Sequence, residues 1–562
     1  MAASIVSACA APNQLPAASQ ETTGGAPFKP CVWGDFFVNY SPPPSQRSEA
    51  WMRERADQLK GQVRRKLEAA KKMGTADVLM LVDTLERLRV DSHFRKDIDL
   101  ALDHVYMEEP EIVSSDELHI VSLHFRLLRQ HGFWVSSDVF DKFRDDTGSF
   151  SKDLVHDVRG LLSLYNASHM ATPGEQRLDE AISFSRQHLE AAKGKLGAPL
   201  SEQVSRFLNI PLPRFMPSLE AVRYIPEYEQ EEGHDMEILE LAKLDYTLVN
   251  NLHLKELRAL TLWWRDLYQE VNLPYTRDRI VEMYFWLFGT FHEEEYSQAR
   301  LIASKIVAIT SLMDDTYDVH ASLEDAMKFN EATQRWDESA VSLLPEYLRM
   351  LYIKTMSNFQ EFEDSLAPND KYGVPYSRKM YKLQSQLYLE EAKWCHQNHL
   401  PSFREQLQVT AVTAGFPLIS VAAWMGAGNL ATKNAFEWGV SVPDILRSSG
   451  EVGRLLNDIA SYKKGKNKKD VASALECYLK EHGCTGEEAA VACSAMVEHA
   501  WRKINRDCME IKPSLVPPAA LLATVNLTRT SEIFYYGGRD GYTFGGDLQE
   551  VVTTLFLKGP AV

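Results

Sequence analysis

The chain has 562 residues, 45% hydrophobic and 25% charged, which is the balance of a globular protein long enough to bury a large core. Its formal net charge of -17 argues against nucleic acid as the main partner, because a phosphate backbone requires a basic binding face. The seven cysteines include no Cys-x-x-Cys pair, which favours reduced intracellular thiols over a disulfide framework or a zinc site.

The N-terminal stretch, 1–27, is rich in alanine, serine and proline, and we predict that it is a disordered lead. It has no arginine and no continuous apolar run, which counts against a transit peptide and a secretory signal. A cytoplasmic location is therefore expected. The next segment, 28–45, contains Trp33, Phe36 and Phe37 and is expected to pack as an aromatic arm against the globular body.

From Ser48 onward, long amphipathic patterns of helical period follow one another and period-two alternation is scarce, which predicts an all-α fold. The stretch 211–228 carries four prolines and few helical signals, so we expect a domain boundary between it and Gly233. We predict an N-terminal helical domain over 28–234, whose helix pairs could form an α-barrel. A C-terminal helical domain is predicted over 235–562.

The apolar run 301–313 ends in the acidic sequence DDTYD at 314–318. In a helix, Asp314 and Asp318 lie one turn apart on a line separate from the core stripe, so their charges repel each other. A cation between them would relieve this repulsion, and Mg²⁺ is the natural candidate because it prefers hard oxygen ligands. The alternative interpretation is an exposed helix end with solvated aspartates.

The stretch 409–428 is uncharged for 20 residues, the length of a membrane span. It is interrupted by Gly415 and Pro417, and no other stretch of the chain resembles a span. We therefore expect a kinked helix buried at the centre of a helical domain and no membrane partner.

A second polar helix face is predicted in RLLNDIASYKKG at 454–465. Arg454, Asn457, Ser461 and Gly465 span about 80° of this face. The first three could bind a metal or a phosphate. A helix N-cap or a solvated polar face is the alternative.

Taken together, these motifs resemble those of plant class I terpene synthases. DDTYD corresponds to the aspartate-rich motif of that family, and NDIASYKKG at 457–465 to its NSE/DTE motif. RDR at 277–279 and Trp286 match the family's diphosphate-binding element and its active-site aromatic residue. The short N-terminus resembles the sesquiterpene subgroup, in its monocot-like form. Further matching phrases are VWGDFF at 32–37, LLSLYNASH at 161–169, RIVEMYFW at 279–286 and RWDESAVSLLPEYL at 335–348.

The resemblance implies a class I terpenoid synthase bundle that ionises farnesyl diphosphate and cyclises the carbocation to a sesquiterpene hydrocarbon or alcohol. It implies three Mg²⁺ ions, with Mn²⁺ as a possible substitute. The metal-site residues implied by the family motifs are Asp314 and Asp318 for two ions, Asn457 and Ser461 for the third, and Asp315 as support from behind. Three arginines are implied to clamp the diphosphate, namely Arg277, Arg279 and Arg454.

The resemblance also implies a dry pocket for the carbocation. Trp286 forms its floor, and Val307 and Thr310 form one wall. The kinked segment 413–416, which includes Thr413 and Gly415, is expected to point freed carbonyls at the cation.

Near the C-terminus, the Gly-rich and aromatic segment 534–547 resembles the lid that closes over the diphosphate. Tyr535 and Asp540 match family positions that act late in the reaction. Arg539 is a candidate late contact to the phosphate. A monomer is expected.

One position departs from the family pattern, because Gly465 stands where the NSE/DTE motif normally ends in glutamate. We expect metal dependence to be retained but weakened. The alternatives are a monoterpene synthase acting on geranyl diphosphate and a weakly active or inactive paralogue. Prenyl chain elongation would need a second aspartate-rich motif, and the N-terminal half has no Asp-x-Asp-Asp sequence for protonation-initiated cyclisation.

Overall fold

The computed structural model describes residues 28–42, 47–69, 74–107, 115–464 and 472–560. The predicted lead, 1–27, and Gly465 lie outside the described residues. Within those ranges the backbone is helical with connecting turns, apart from one isolated antiparallel bridge between Arg144 and Phe150. The predicted all-α fold is confirmed for this part of the chain.

The first half of the molecule consists of helices that pack mainly against their neighbours in sequence. The pairs α5 with α6 and α6 with α7 have the largest contacts among them. The described α-helices of this half are α1 (Phe36–Asn39), α2 (Glu49–Ala69), α3 (Thr75–Arg87), α4 (Arg95–Met107), α5 (Leu118–Gln130), α6 (Val158–Ser168), α7 (Gln176–Ala192), α8 (Leu200–Asn209) and α9 (Pro217–Tyr228).

The second half is a bundle in which α17 lies in the centre, in contact with α12, α15, α19 and α22. The described α-helices of this half are α10 (Met236–Val271), α11 (Ile280–Thr290), α12 (Ser297–Asp315), α13 (Leu323–Arg335), α14 (Glu346–Ser365), α15 (Gly373–His396), α16 (Phe403–Thr413), α17 (Phe416–Trp424), α18 (Lys433–Gly439), α19 (Asp444–Lys464), α20 (Ala474–His482), α21 (Gly486–Glu510), α22 (Pro518–Tyr535) and α23 (Gln549–Phe556).

The proline-rich stretch before the predicted domain boundary is more helical than its sequence indicated. Pro217 occupies the first turn of α9, where a missing N–H costs nothing, and Pro226 falls in the last turn. The helix α10 begins beside the predicted boundary. Its N-cap Asp235 accepts hydrogen bonds from the main-chain N–H groups of Glu237 and Ile238.

The predicted kink in the apolar stretch is confirmed. Gly415, with φ 88°, separates α16 from α17, and a side chain would strain the backbone there. Within the described ranges, Phe403–Trp424 is the one helical stretch long and apolar enough to cross a membrane. Its most apolar window is 78% buried inside the protein, as expected for a core helix.

Two glycines allow α19 to approach the kinked pair closely. A Cβ on Gly450 would lie 1.7 Å from the Ala411 carbonyl oxygen, and one on Gly453 would lie 2.2 Å from a carbon of the Phe416 ring. The close approach brings the polar face of α19 to the edge of the central pocket.

We expect Gly450→Ala to lower the free energy of unfolding by about 1–3 kcal/mol, because the backbone of α16 must move away from the new methyl group. Urea denaturation followed by circular dichroism measures this loss. Gly61→Ala on α2 is the control, since the nearest atom to its Cβ is 4.0 Å away, and it should leave stability unchanged or slightly raised. Equal stability of the two variants would contradict the close crossing.

Candidate active site

The aspartate-rich motif lies where α12 changes its winding. The α-helix ends at Asp315, and Thr316–His320 form a π-helical turn, closed by a 2.9 Å hydrogen bond from the Ala321 N–H to the Thr316 carbonyl. The sequence analysis predicted an ordinary α-helical turn between Asp314 and Asp318, and the structure has a wider π-helical turn there instead. Such single π turns recur at functional sites. Here Asp315 is fully buried, whereas Asp318 is exposed at the cleft.

Asp315 is occupied entirely by Arg277. Its Oδ2 accepts from the Arg277 main-chain N–H at 2.7 Å, and its Oδ1 accepts from Nη2 at 2.5 Å and from Nε at 2.9 Å. Burial opposes the charge of the guanidinium, but Asp315 and Asp314 raise the pKa of Arg277 well above its usual value. Asp315 is therefore held away from the cleft, an arrangement consistent with the supporting role predicted for it at the metal site.

Asp314 is partly accessible and lies between several charges. Arg277 Nη2 lies 3.2 Å from its Oδ2, and Arg454 is near enough for the two charges to interact. Burial raises the pKa of Asp314 despite the charge of Arg277. Burial, followed by the charges of Asp314 and Glu391, also raises the pKa of Asp318, although that residue keeps solvent access.

Glu391 on α15 is a site residue that the sequence analysis missed. It is 7% exposed, and burial together with the charge of Asp314 raises its pKa to about 7 against the opposing effect of Arg454. On α15 it follows Gln384 and Tyr388 at a spacing of four and then three residues, a buried polar stripe on one helix face. This stripe was the available signal for the residue.

The polar face of α19 lies opposite the aspartates. Arg454 Nη1 lies 3.4 Å from both Asn457 Oδ1 and Asp458 Oδ1. Asp458 points inward, where its Oδ2 accepts from the Ala474 N–H at 2.7 Å and so holds the start of α20. Ser461 follows Asn457 one turn later and is partly exposed. Arg454, Asn457 and Ser461 thus share a face, as predicted.

The predicted floor residue, Trp286, lies in an aromatic cluster. Its ring stacks on Phe534 with a centroid distance of 4.0 Å and meets Phe416 edge-on at 5.7 Å. Val307 and Thr310 are each 7% exposed on α12. The Thr310 hydroxyl has no hydrogen-bond partner among the described residues, so the pocket wall contains one unsatisfied polar atom.

The kink at Gly415 does not leave a free carbonyl on Thr413. That carbonyl accepts from Gln384 Nε2 at 2.7 Å and from the Tyr388 hydroxyl at 3.4 Å. The Gly415 carbonyl accepts from the Ile419 N–H at 2.8 Å. The carbonyls of Thr413 and Gly415 thus already have donors, as buried carbonyls usually do, and the expectation that the kinked segment 413–416 points carbonyls at a cation stays a prediction.

Arg279, predicted to contact the diphosphate, is buried between two distant parts of the chain. It is 1% exposed and is the N-cap residue of α11. Its Nη2 donates to the main-chain carbonyls of Lys29 at 2.8 Å and Thr543 at 2.9 Å. In this structure Arg279 therefore ties the N-terminal arm to the C-terminal segment, and its contact with the diphosphate stays a prediction.

The C-terminal segment, 536–548, closes one side of the pocket. Asp540 Oδ2 lies 3.5 Å from Asn457 Nδ2, and the Tyr542 hydroxyl lies 2.8 Å from Ser311 Oγ. Burial and the charge of Asp540 raise the pKa of Tyr535 far above its usual value. Arg539 is exposed against the Tyr536 ring, at 5.6 Å from its centroid.

The donors of this cleft suit a hard divalent cation. Asp314, Asp318 and Glu391 contribute carboxylate oxygens close enough to influence one another, and Asn457 and Ser461 add amide and hydroxyl oxygens across the cleft. Among the described His, Cys, Asp and Glu side chains, no three lie close enough together to bind a metal ion by themselves. The arrangement therefore fits Mg²⁺ that completes its shell with waters and phosphate oxygens.

Comparison with known proteins gives matches along nearly the whole chain. Residues 32–208 match the family model described as terpene synthase, N-terminal domain, and residues 265–503 match that of the terpene synthase family, metal binding domain. The chain is 54% identical over 556 residues to a eudesmanediol synthase of Zea mays, covering 98% of this chain and 99% of that protein. It is 43% identical to a tau-cadinol synthase of Zea mays, covering 94% of this chain and 97% of that protein.

A solved structure shares the fold. It is isoprene synthase from grey poplar leaves, Populus x canescens, in complex with three Mg²⁺ ions and dimethylallyl-S-thiolodiphosphate. The TM-score is 0.82 at 30% sequence identity, and the match covers 91% of this chain and 97% of that chain.

Proposed function

Because this chain belongs to the terpene synthase family, we propose that it ionises farnesyl diphosphate and cyclises the carbocation to a sesquiterpene hydrocarbon or alcohol. One observation carries the proposal: the aspartates at the end of α12 lie opposite the polar face of α19, at the edge of a pocket floored by aromatic rings. The sesquiterpene assignment is supported by the eudesmanediol and tau-cadinol synthases, which are similar over nearly the full chain.

We propose Asp314, Asp318, Asn457 and Ser461 as the residues that hold Mg²⁺. We propose that three Mg²⁺ ions bind, a number supported by the three Mg²⁺ ions in the poplar complex. We also propose that Mn²⁺ can replace Mg²⁺, which that complex does not address. When bound, Mg²⁺ neutralises the negative charge of the leaving diphosphate. The set of carboxylate, amide and hydroxyl oxygens around the cleft supports this assignment.

The protein side chains have three further tasks. Arg454 stays positive, since Asp458 and Glu391 raise its pKa against the effect of burial, and it attracts the diphosphate. Trp286 presents a buried aromatic ring, and a desolvated cation over such a ring gains about 2 kcal/mol. The C-terminal segment excludes water, while Tyr535 and Asp540 are proposed to act at the end of the cyclisation.

The test is incubation with farnesyl diphosphate or geranyl diphosphate and Mg²⁺, followed by gas chromatography with mass spectrometry of the organic layer. A sesquiterpene from farnesyl diphosphate supports the proposal. Exclusive formation of a monoterpene from geranyl diphosphate would favour the alternative monoterpene synthase. A longer prenyl diphosphate, or no conversion with either substrate, would contradict terpene cyclisation.

Gly465 gives a prediction about metal dependence. Glycine offers no side-chain ligand at a position where the family motif has glutamate, so half-maximal turnover should need a higher Mg²⁺ concentration than in the Gly465→Glu variant. We expect about a ten-fold difference, the lower end of what an altered metal site costs. Titration of initial rate against Mg²⁺ measures it, and superimposable curves would show that this position is irrelevant here.

We also propose the domain division at 234/235, a cytoplasmic location and a monomer. The two matched family regions lie on either side of the division, and α10 begins at Met236. Scattered cysteines without paired spacing support a reducing compartment.

A further inference from the structure

The last residue of α19 that the structure describes, Lys464, contacts the C-terminal segment. We propose that Lys464 and Asp547 form a latch that holds this segment closed and, through Asp540, positions Asn457 for the reaction. Lys464 is thus a positioning residue, and its kinetic role rests on the proposed function. The family motifs imply no role for the side chain of Lys464 itself.

The latch consists of two contacts made by one ammonium group. Lys464 Nζ donates to Asp547 Oδ2, and the same nitrogen lies 4.3 Å from the centroid of the Phe544 ring. The side chains of Lys464 and Asp547 are 30% and 26% exposed, so both charges are largely covered when they meet. A half-covered ion pair that also lies over an aromatic face is stronger than a fully solvated one.

Asp547 also contacts the turn of the C-terminal segment that carries Asp540. Its Oδ2 also accepts from the Asp540 main-chain N–H at 3.1 Å. The Asp540 Oδ1 in turn accepts from the N–H groups of Tyr542 at 3.2 Å and Thr543 at 2.9 Å. The turn that carries Asp540 is therefore built around carboxylates, and Lys464 is the cation that balances one of them.

The C-terminal segment contacts α19 at two points, Lys464 and Asn457. The other carboxylate oxygen of Asp540 lies 3.5 Å from Asn457 Nδ2, and Asn457 precedes Lys464 by about two helical turns. A shift of the C-terminal segment at Lys464 would therefore move Asp540 relative to Asn457. Closure of the segment is therefore coupled to the orientation of Asn457, a proposed metal ligand.

A second lysine shows how closely the segment lies on α19. A Cβ on Gly538, which has φ 78°, would lie 2.8 Å from Lys463 Cδ. The end of α19 thus packs on the segment through aliphatic and charged atoms. The contact of Lys464 belongs to this packed surface and is not an isolated ion pair in solvent.

The test compares Lys464→Met, which keeps the length but removes the charge, with Lys464→Arg, which keeps the charge. Asp547→Asn removes the partner. Lys243→Met is the matched control, because Lys243 forms a half-covered ion pair with Glu229 at 2.7 Å in a distant part of the chain. Hydrogen exchange of the amides of 541–548 in the protein alone, and steady-state kinetics with farnesyl diphosphate and Mg²⁺, are the two readouts.

We expect Lys464→Met and Asp547→Asn to speed exchange of these amides about ten-fold, since the local opening becomes easier. The KM should rise about five-fold with kcat within about two-fold, because open segments lower the fraction of binding-competent protein. Lys464→Arg should restore both, and Lys243→Met should change neither.

Two results would overturn the latch: exchange in Lys464→Met equal to that of the wild type, or failure of arginine to restore closure. If the wild type converts no prenyl diphosphate, the proposed function fails. The exchange measurement still decides the latch in that case, because it needs no turnover.

Discussion

Replacing Asp314 with asparagine should lower kcat/KM for farnesyl diphosphate by about 10³-fold, the scale seen when one preorganised charged contact to a developing anion is lost. Asp314 is the acidic residue that interacts with charged residues on both sides of the cleft. Arg277 Nη2 lies 3.2 Å from its Oδ2. Burial raises the pKa of Asp314 against the charge of Arg454, and burial together with the charge of Asp314 raises the pKa of Asp318. An amide keeps the size of the side chain but removes the charge that attracts Mg²⁺.

The control for this prediction is Glu324→Gln in the first turn of α13. Glu324 is exposed and pairs with Lys328 at 2.6 Å, so its substitution removes an acidic charge that makes no contact with the residues of the cleft. Initial rates at saturating Mg²⁺ measure both variants. Activity of Asp314→Asn within ten-fold of the wild type would contradict the assignment of Asp314 as a metal ligand.

The second large effect concerns stability. Asp315→Ala should lower the free energy of unfolding by about 3 kcal/mol, because it leaves the buried Arg277 guanidinium with only its 3.2 Å contact to Asp314. Both oxygens of Asp315 and two nitrogens of the guanidinium are involved, and the Asp315 side chain is 0% exposed. Chemical denaturation followed by circular dichroism measures the loss.

Two comparisons make this prediction specific. Asp97→Ala removes the partner of Arg64 from a more exposed pair, 48% and 24% exposed, and should cost at most about 1 kcal/mol. The double variant Arg277→Met with Asp315→Leu removes both buried charges and should recover much of the stability lost in Asp315→Ala. A loss no larger than that of Asp97→Ala would show that Asp315 is not a structural partner of Arg277.

Much of the fold and part of the site could be predicted from local sequence. The core stripe of α12, the kink at Gly415 and the shared face of Arg454 and Asn457 follow from helical periodicity and from glycine's freedom at positive φ. These features depend on residues within about two turns of one another. The structure therefore agrees with the sequence where neighbours along the chain decide the outcome.

The remaining features depend on contacts between distant residues. Arg279 pairs with carbonyls of Lys29 and Thr543, which no local pattern indicates. The Thr413 carbonyl is satisfied by donors on α15, and Glu391 enters the site from that same helix. The proline-rich helix α9 was missed because composition was given more weight than the tolerated positions of proline in a first turn.

The two carbonyls held by Arg279 come from opposite ends of the polypeptide. A ribosome adds about 5–20 residues each second, so roughly 25 to 100 s of translation separate the appearance of Lys29 from that of Thr543. During that interval Trp33 and Phe37, each 2% exposed in the finished protein, belong to an arm that still lacks this cross-tie. The aromatic arm can therefore pack on α10 early in synthesis, but its tie to the C-terminal segment through Arg279 forms only after Thr543 has been added.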